Sequence, residues 1–173
     1  MPTVVAFETD GGAVVAADRL VVADGTVSSK HAERIADFGE CGGAAVSDSD
    51  QFRRELDGKR RAYETDHGEI PAIEPFTRMA TEVASDVGTD AAVAARDESG
   101  EALVRAVYAD GSVIEDSPVA LGTGAELAFG RLENGVPADL DEAAAFARDL
   151  IEGVGGRDTR TGDEADVWTL PDE

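Results

Sequence analysis

The chain contains very little cysteine, histidine or lysine and few aromatic side chains. Cys41 is its only cysteine, and His31 and His67 are its only histidines. A lone thiol excludes a disulfide framework and any CxxC-type metal cluster. No motif joins the two histidines, so neither a metal centre nor a Ser/His/Asp arrangement is indicated, and no cofactor is implied. Lysine stands only at positions 30 and 59, and 15 basic residues face 37 acidic ones, for a formal net charge of −22. That balance disfavours nucleic acid and membrane surfaces as partners, since both are anionic. No apolar run approaches the roughly 18 residues of a membrane span and no signal peptide is recognisable, which predicts a cytoplasmic protein.

What remains is a chain that folds. Its 173 residues are 42% hydrophobic, a length that predicts one domain, 1–173, burying about two-thirds of its unfolded surface. The acids are scattered between periodic apolar residues rather than gathered in a tail. This describes a packed core under an acidic skin, a halophilic composition whose self-repulsion is screened by salt.

The organising stretch runs from Thr3 to Asp18. Two apolar runs flank Asp10-Gly11-Gly12, where Asp-Gly and Gly-Gly supply the backbone freedom of a tight hairpin. The second run ends on a carboxylate, Asp18, followed by Arg19. A loop is expected from Leu20 to Lys30, then an alternating strand from His31 to Phe38 and a short strand of small residues over 43–46. Ser47 or Asp48 is placed to cap a helix reaching about Tyr63. Pro71 and Pro75 introduce a second helix, in which Ile73, Phe76, Ala80, Val83, Ala84 and Val87 keep helical spacing until Gly88. Three strands follow, 91–96, 102–109 and 112–115, joined by Ser99-Gly100 and Asp110-Gly111. Pro118-Val-Ala-Leu121 leads to Gly122-Thr123-Gly124-Ala125, which opens a third helix closed by Asn134-Gly135. A fourth begins at Asp139, with Glu142 completing a capping box, and ends at Gly155-Gly156. A polar loop, 157–163, precedes a last strand, 165–170. Strands, two helices, strands, two helices and a strand suggest an α+β fold, a four-layer α/β/β/α sandwich of two stacked antiparallel sheets.

The hairpin near the amino end, with an Ala-Ala-Asp-Arg tetrad closing it, resembles the start of proteasome β-type subunits and of the related bacterial two-component protease subunit. Arg157-Asp158-Thr159-Arg160-Thr161-Gly162 is similar to an Arg-Asp-x-x-Ser-Gly loop of the same family, some 140 residues downstream. The resemblance implies the N-terminal nucleophile (Ntn) hydrolase fold, a homo-oligomer or association with proteasome-type subunits, and a peptide substrate if the site is active. It also implies a site. Matched without gaps, Pro2 falls where the nucleophilic threonine stands and Thr3 just after it. Methionine is normally trimmed before proline, which predicts Pro2 as the mature terminus; no propeptide of the usual kind is seen. Asp18 matches the acid that holds the family's lysine, and Arg34 takes that lysine's place, keeping the charge without a proton to give near neutrality. An Asp18–Arg34 ion pair holding the sheet is the expectation. Ala125 falls at the catalytic serine, with the Thr123 hydroxyl one step away, and Gly42-Gly43 lies near the oxyanion-hole glycine. Asp158 and Thr161 match the aspartate and serine of the closing loop. Three readings follow from this mixture. The protein is a catalytically degenerate or repurposed assembling subunit, a threonine-type peptidase with Thr3 exposed by loss of Met1-Pro2, or an amine-dependent enzyme using Pro2.

Overall fold

The computed structural model describes residues 2–173. The opening hairpin pairs β1 (Thr3–Thr9) with β2 (Gly12–Asp18), Val5 facing Ala16 and Phe7 facing Val14. Period-two side-chain alternation then gives each strand two apolar faces. Val4, Ala6, Val15 and Ala17 point into one cluster, and Val5, Phe7, Val14 and Ala16 into another. A strand apolar on both faces must be covered on both, and this requirement produces the layers.

The hairpin is the middle of a four-stranded antiparallel sheet. β10 (Val119–Gly122) flanks β1, and β11 (Ala165–Pro171) flanks β2. A second antiparallel sheet runs in the order β5 (Ile35–Asp37), β6 (Cys41–Ala45), β7 (Ala91–Arg96), β8 (Ala102–Val107) and β9 (Val113–Ile114). The two sheets meet through mostly small residues: Ala6, Ala13 and Ala17 from one face Ala44, Ala92, Ala94 and Ala106 from the other. Trp168 puts a large ring there, and Gly42 makes room for it: a Cβ on Gly42 would sit 3.1 Å from Trp168 Cη2 and 2.4 Å from the Ala36 carbonyl.

Helices α1 (Ser49–His67) and α2 (Ile73–Val87) cover the outer face of the five-stranded sheet through Phe52, Leu56, Phe76, Ala80 and Val83. Helices α3 (Ala125–Leu132) and α4 (Leu140–Gly155) cover the other sheet, where Phe7 meets Phe146 edge-on with ring centroids 6.0 Å apart. The four-layer α/β/β/α sandwich of the sequence reading is what the molecule has.

Three local expectations change. The segment 20–30 is a small hairpin rather than a loop, β3 (Val21–Ala23) with β4 (Thr26–Ser29). The strand expected over 31–38 is reduced to β5. Asp48 does occupy the N-cap position of α1, but in a left-handed conformation (φ 47°) with no side-chain hydrogen bond into the helix, and Ser47 pairs with Thr89 instead. Asp139 does cap α4, accepting from the Glu142 N–H at 3.0 Å. The two positions therefore answer differently to mutation. Asp139→Ala is expected to cost about 1 kcal/mol, whereas Asp48→Gly leaves stability unchanged or raises it by up to about 1 kcal/mol. Chemical denaturation in concentrated salt measures both.

Candidate active site

The amino end of β1, the end of β2, the turn before α3 and the 157–163 loop converge on one point. Asp18 is fully buried at the close of β2 and accepts three backbone hydrogen bonds: from Thr3 N–H at 2.9 Å, Leu20 N–H at 3.1 Å and Gly162 N–H at 2.7 Å. A buried carboxylate needs such donors to offset its lost hydration. It makes no ion pair with Arg34 among the described residues. The expected Asp18–Arg34 bridge is replaced by backbone donors on the acid and by a bond from Arg34 Nη2 to the Leu20 carbonyl at 2.6 Å. Arg34 is 6% exposed, and burial pushes its guanidinium below the ordinary value while the charge of nearby Asp18 opposes that fall.

A second network holds the Thr3 side chain. Its Oγ1 lies 2.7 Å from Thr161 Oγ1, which is 2.6 Å from Asp158 Oδ2; Gly124 N–H donates to Thr3 Oγ1 at 3.1 Å. The donors can be assigned by elimination. A carboxylate only accepts, so Thr161 spends its single hydrogen on Asp158 and must accept from Thr3. The Thr3 hydroxyl therefore donates to Thr161, accepts from Gly124, and is completely buried. Thr123 Oγ1 also donates to Asp158 Oδ2, at 2.7 Å, and Thr123 N–H reaches the Pro2 carbonyl at 3.3 Å. Burial pushes the Asp158 carboxyl up, but donation by Thr161, Thr123 and the Arg160 N–H outweighs it and holds the group below its ordinary value.

The site residues named from the sequence thus assemble in two groups. Thr3, Thr123, Asp158 and Thr161 form a hydroxyl–carboxylate chain. Pro2 and Arg34 line a cleft of about 500 Å³, and the charge of Asp18 acts on Arg34. The turn before α3 contributes its hydroxyl through Thr123 rather than position 125, where α3 begins. Gly42 and Gly43 lie inside β6, packed against the carbonyls of Ala36 and Ala92, so close strand packing accounts for them rather than an oxyanion hole. The sequence reading missed the cleft wall made by Ser47 and the first turn of α1. The unusual backbone at Asp48 left no mark in the sequence.

Residues 2–170 match the family model described as proteasome subunit. This chain belongs to the proteasome subunit family. It is 28% identical to proteasome subunit beta 1 of Ignicoccus hospitalis, over 98% of this chain and 90% of that one. Proteasome subunit beta 2 of Thermofilum pendens is also 28% identical, over 97% and 87%. Proteasome subunit beta of Natrialba magadii is 26% identical, over 99% and 74%. The molecule is a proteasome β-subunit-like protein with the Ntn fold. None of its helices among the described residues is long and apolar enough to cross a membrane.

The hydroxyl chain makes two predictions for this proteasome-type site. Gly124→Ala would place a Cβ 2.4 Å from both Thr3 Oγ1 and Val154 Cγ1; overpacking of this kind costs about 1–3 kcal/mol. The loss should appear in thermal denaturation. Thr161→Val leaves the Thr3 hydroxyl without an acceptor and removes a donor from Asp158, at a cost of about 1–3 kcal/mol. A depressed folded-state pKa means that Asp158 contributes stability at neutral pH that is lost as pH falls through that value. Carboxyl NMR titration should show Asp158 protonating below its ordinary value in the parent chain and higher in Thr161→Val.

Proposed function

We propose that this chain is a catalytically silent, assembling member of the proteasome β-type family. The state of the Thr3 hydroxyl carries the reading. It has no exposed surface, it is bonded on both sides by Thr161 and Gly124, and the Thr3 nitrogen is an amide engaged by Asp18. A nucleophilic hydroxyl needs an adjacent base and room for a carbonyl carbon to approach. Here the nitrogen that would serve as base is tied into the Pro2–Thr3 peptide bond. Arg34, where the family's lysine would stand, remains protonated at any ordinary pH. The hydroxyls and Asp158 then act as a structural clasp between the layers.

Assembly is supported by large apolar side chains left uncovered in a strongly acidic surface. Leu127 and Phe129 on α3, and Val113 and Ile114 on the edge strand β9, are each at least 37% exposed. Copies of this chain or other proteasome-type subunits would cover them, and screening by salt would let surfaces this acidic approach one another. We place the protein in the cytoplasm on the same family grounds.

The test has three measurements, made on the purified chain in high salt. Intact mass is expected to show Thr3 still preceded by Pro2. Fluorogenic peptides are expected to be hydrolysed no faster than in buffer, and native mass to show a multimer. A terminus at Thr3, with peptide hydrolysis abolished by Thr3→Ala, would establish the threonine peptidase instead. Peptide hydrolysis that survives Thr3→Ala and disappears in Pro2→Ala would point to the amine of Pro2, which lines the cleft beside Arg34. A monomer at all concentrations removes the assembly half of the reading.

A further inference from the structure

Asn134 is the only asparagine in the chain, and a glycine follows it. The pair lies just past the end of α3, where the chain turns toward α4. Both residues are exposed, whereas Leu132 before them is buried and fixes the end of the helix. Gly135 has φ 104°, and a Cβ built on it would meet nothing within 4 Å. The space beside the Asn134–Gly135 peptide bond on that side is open. Arg131, in the last turn of α3, is directed to the Asp149 carbonyl at 3.5 Å and over the Phe146 ring.

An exposed Asn-Gly pair can react with its own backbone. The Gly135 amide nitrogen, once deprotonated, attacks the Asn134 side-chain carbonyl carbon. The new N–Cγ bond closes a succinimide ring, and the side-chain nitrogen leaves as ammonia with the proton that the backbone gave up. Water then opens the ring at either carbonyl. Addition at Cγ leaves aspartate, and addition at the backbone carbonyl leaves isoaspartate, whose main chain runs through Cβ and Cγ. Water is consumed and ammonia released in equal amounts, and nothing is oxidised or reduced. Closure needs a pliant backbone and an unhindered nitrogen, and glycine offers both. Two hydrogen bonds oppose it: Asn134 N–H donates to the Arg131 carbonyl at 3.3 Å and Gly135 N–H to the Leu132 carbonyl at 3.1 Å. Both lie at an exposed helix end, which frays at little cost, so closure requires no global unfolding. Glycine also follows Asp10, Asp24, Asp57 and Asp110, but a carboxylate is a poorer electrophile than an amide. Asp57 is moreover inside α1, and the Asp110 carboxylate accepts from Ser112.

We propose that Asn134 is a self-modification site, converted in the folded protein to aspartate and isoaspartate through a succinimide formed with Gly135. The product carboxylate stands beside Glu133, at the end of α3 where unpaired carbonyls gather partial negative charge. Isoaspartate also lengthens the main chain between α3 and α4. The reaction involves neither Thr3 nor Pro2, so it stands or falls separately from the silent-site reading.

The experiment incubates the full purified chain for weeks in high salt, at neutral and at mildly alkaline pH. Samples are followed by charge separation, intact mass and peptide mapping, with electron-transfer fragmentation to tell isoaspartate from aspartate. A species one charge more negative than the formal −22 is expected, heavier by the difference between NH₂ and OH. Both changes should map to the peptide that carries Asn134, with both products present. The rate should rise about tenfold per pH unit, following the fraction of deprotonated amide. Asn134→Gln, whose longer side chain closes a ring far less readily, is expected to keep its charge. The same incubation in denaturant shows what the unfolded chain does. Loss of the Asn134 amide in denaturant but not in the folded chain would overturn the proposal, because the end of α3 would then protect it. A charge gain that maps elsewhere, one that persists in Asn134→Gln, or aspartate formed with no isoaspartate would each overturn it as well.

Discussion

The structure depends on what happens to one carboxylate at the end of the second strand. Asp18 gathers N–H groups from Thr3, Leu20 and Gly162, and so ties the beginning of β1, the exit from β2 and the 157–163 loop to a single buried charge. Each donor belongs to a different part of the chain. The loop meets the amino end through this anchor and through the Thr161–Thr3 contact. The hydroxyl chain through Thr3 is secondary in this sense: it is built on a geometry that Asp18 has already set.

That ordering shows how these proteasome-type features serve the fold itself. A carboxylate satisfied by backbone donors stabilises the fold whichever side chains stand around it. Thr161 and Asp158 do the same for the junction of β1 with α3. Among the described residues, the Thr3, Thr123 and Thr161 hydroxyls each donate to another part of the same protein.

Much of this was readable from the sequence. The hairpin, the four helices and the four-layer order follow from periodicity and from turn residues such as Asp10-Gly11 and Asp139, where local chemistry and final structure agree. The pairing of Asp158 with Thr161 came from a motif, and the structure adds Thr3 and Thr123 to it. What was not readable depends on contacts between distant segments. Residues 20–30 look like a loop because their strands are short and mostly uncovered. The resemblance pairs Arg34 with Asp18 as the family's lysine with its acid, yet Asp18 accepts from three N–H groups that carry no side-chain signature. The helix start at Asp48 looks like an ordinary cap, and only its backbone angle shows otherwise.

The alanines between the two sheets have a consequence for how this protein can change over time. Side chains that small leave the facing layers close together, with the ring of Trp168 accommodated only by the bare backbone of Gly42. Replacement by anything bulkier in that seam would wedge the sheets apart and carry the amino end with them. Substitution is therefore tolerated better in the helix-facing layers and on the charged exterior than in this seam between the sheets.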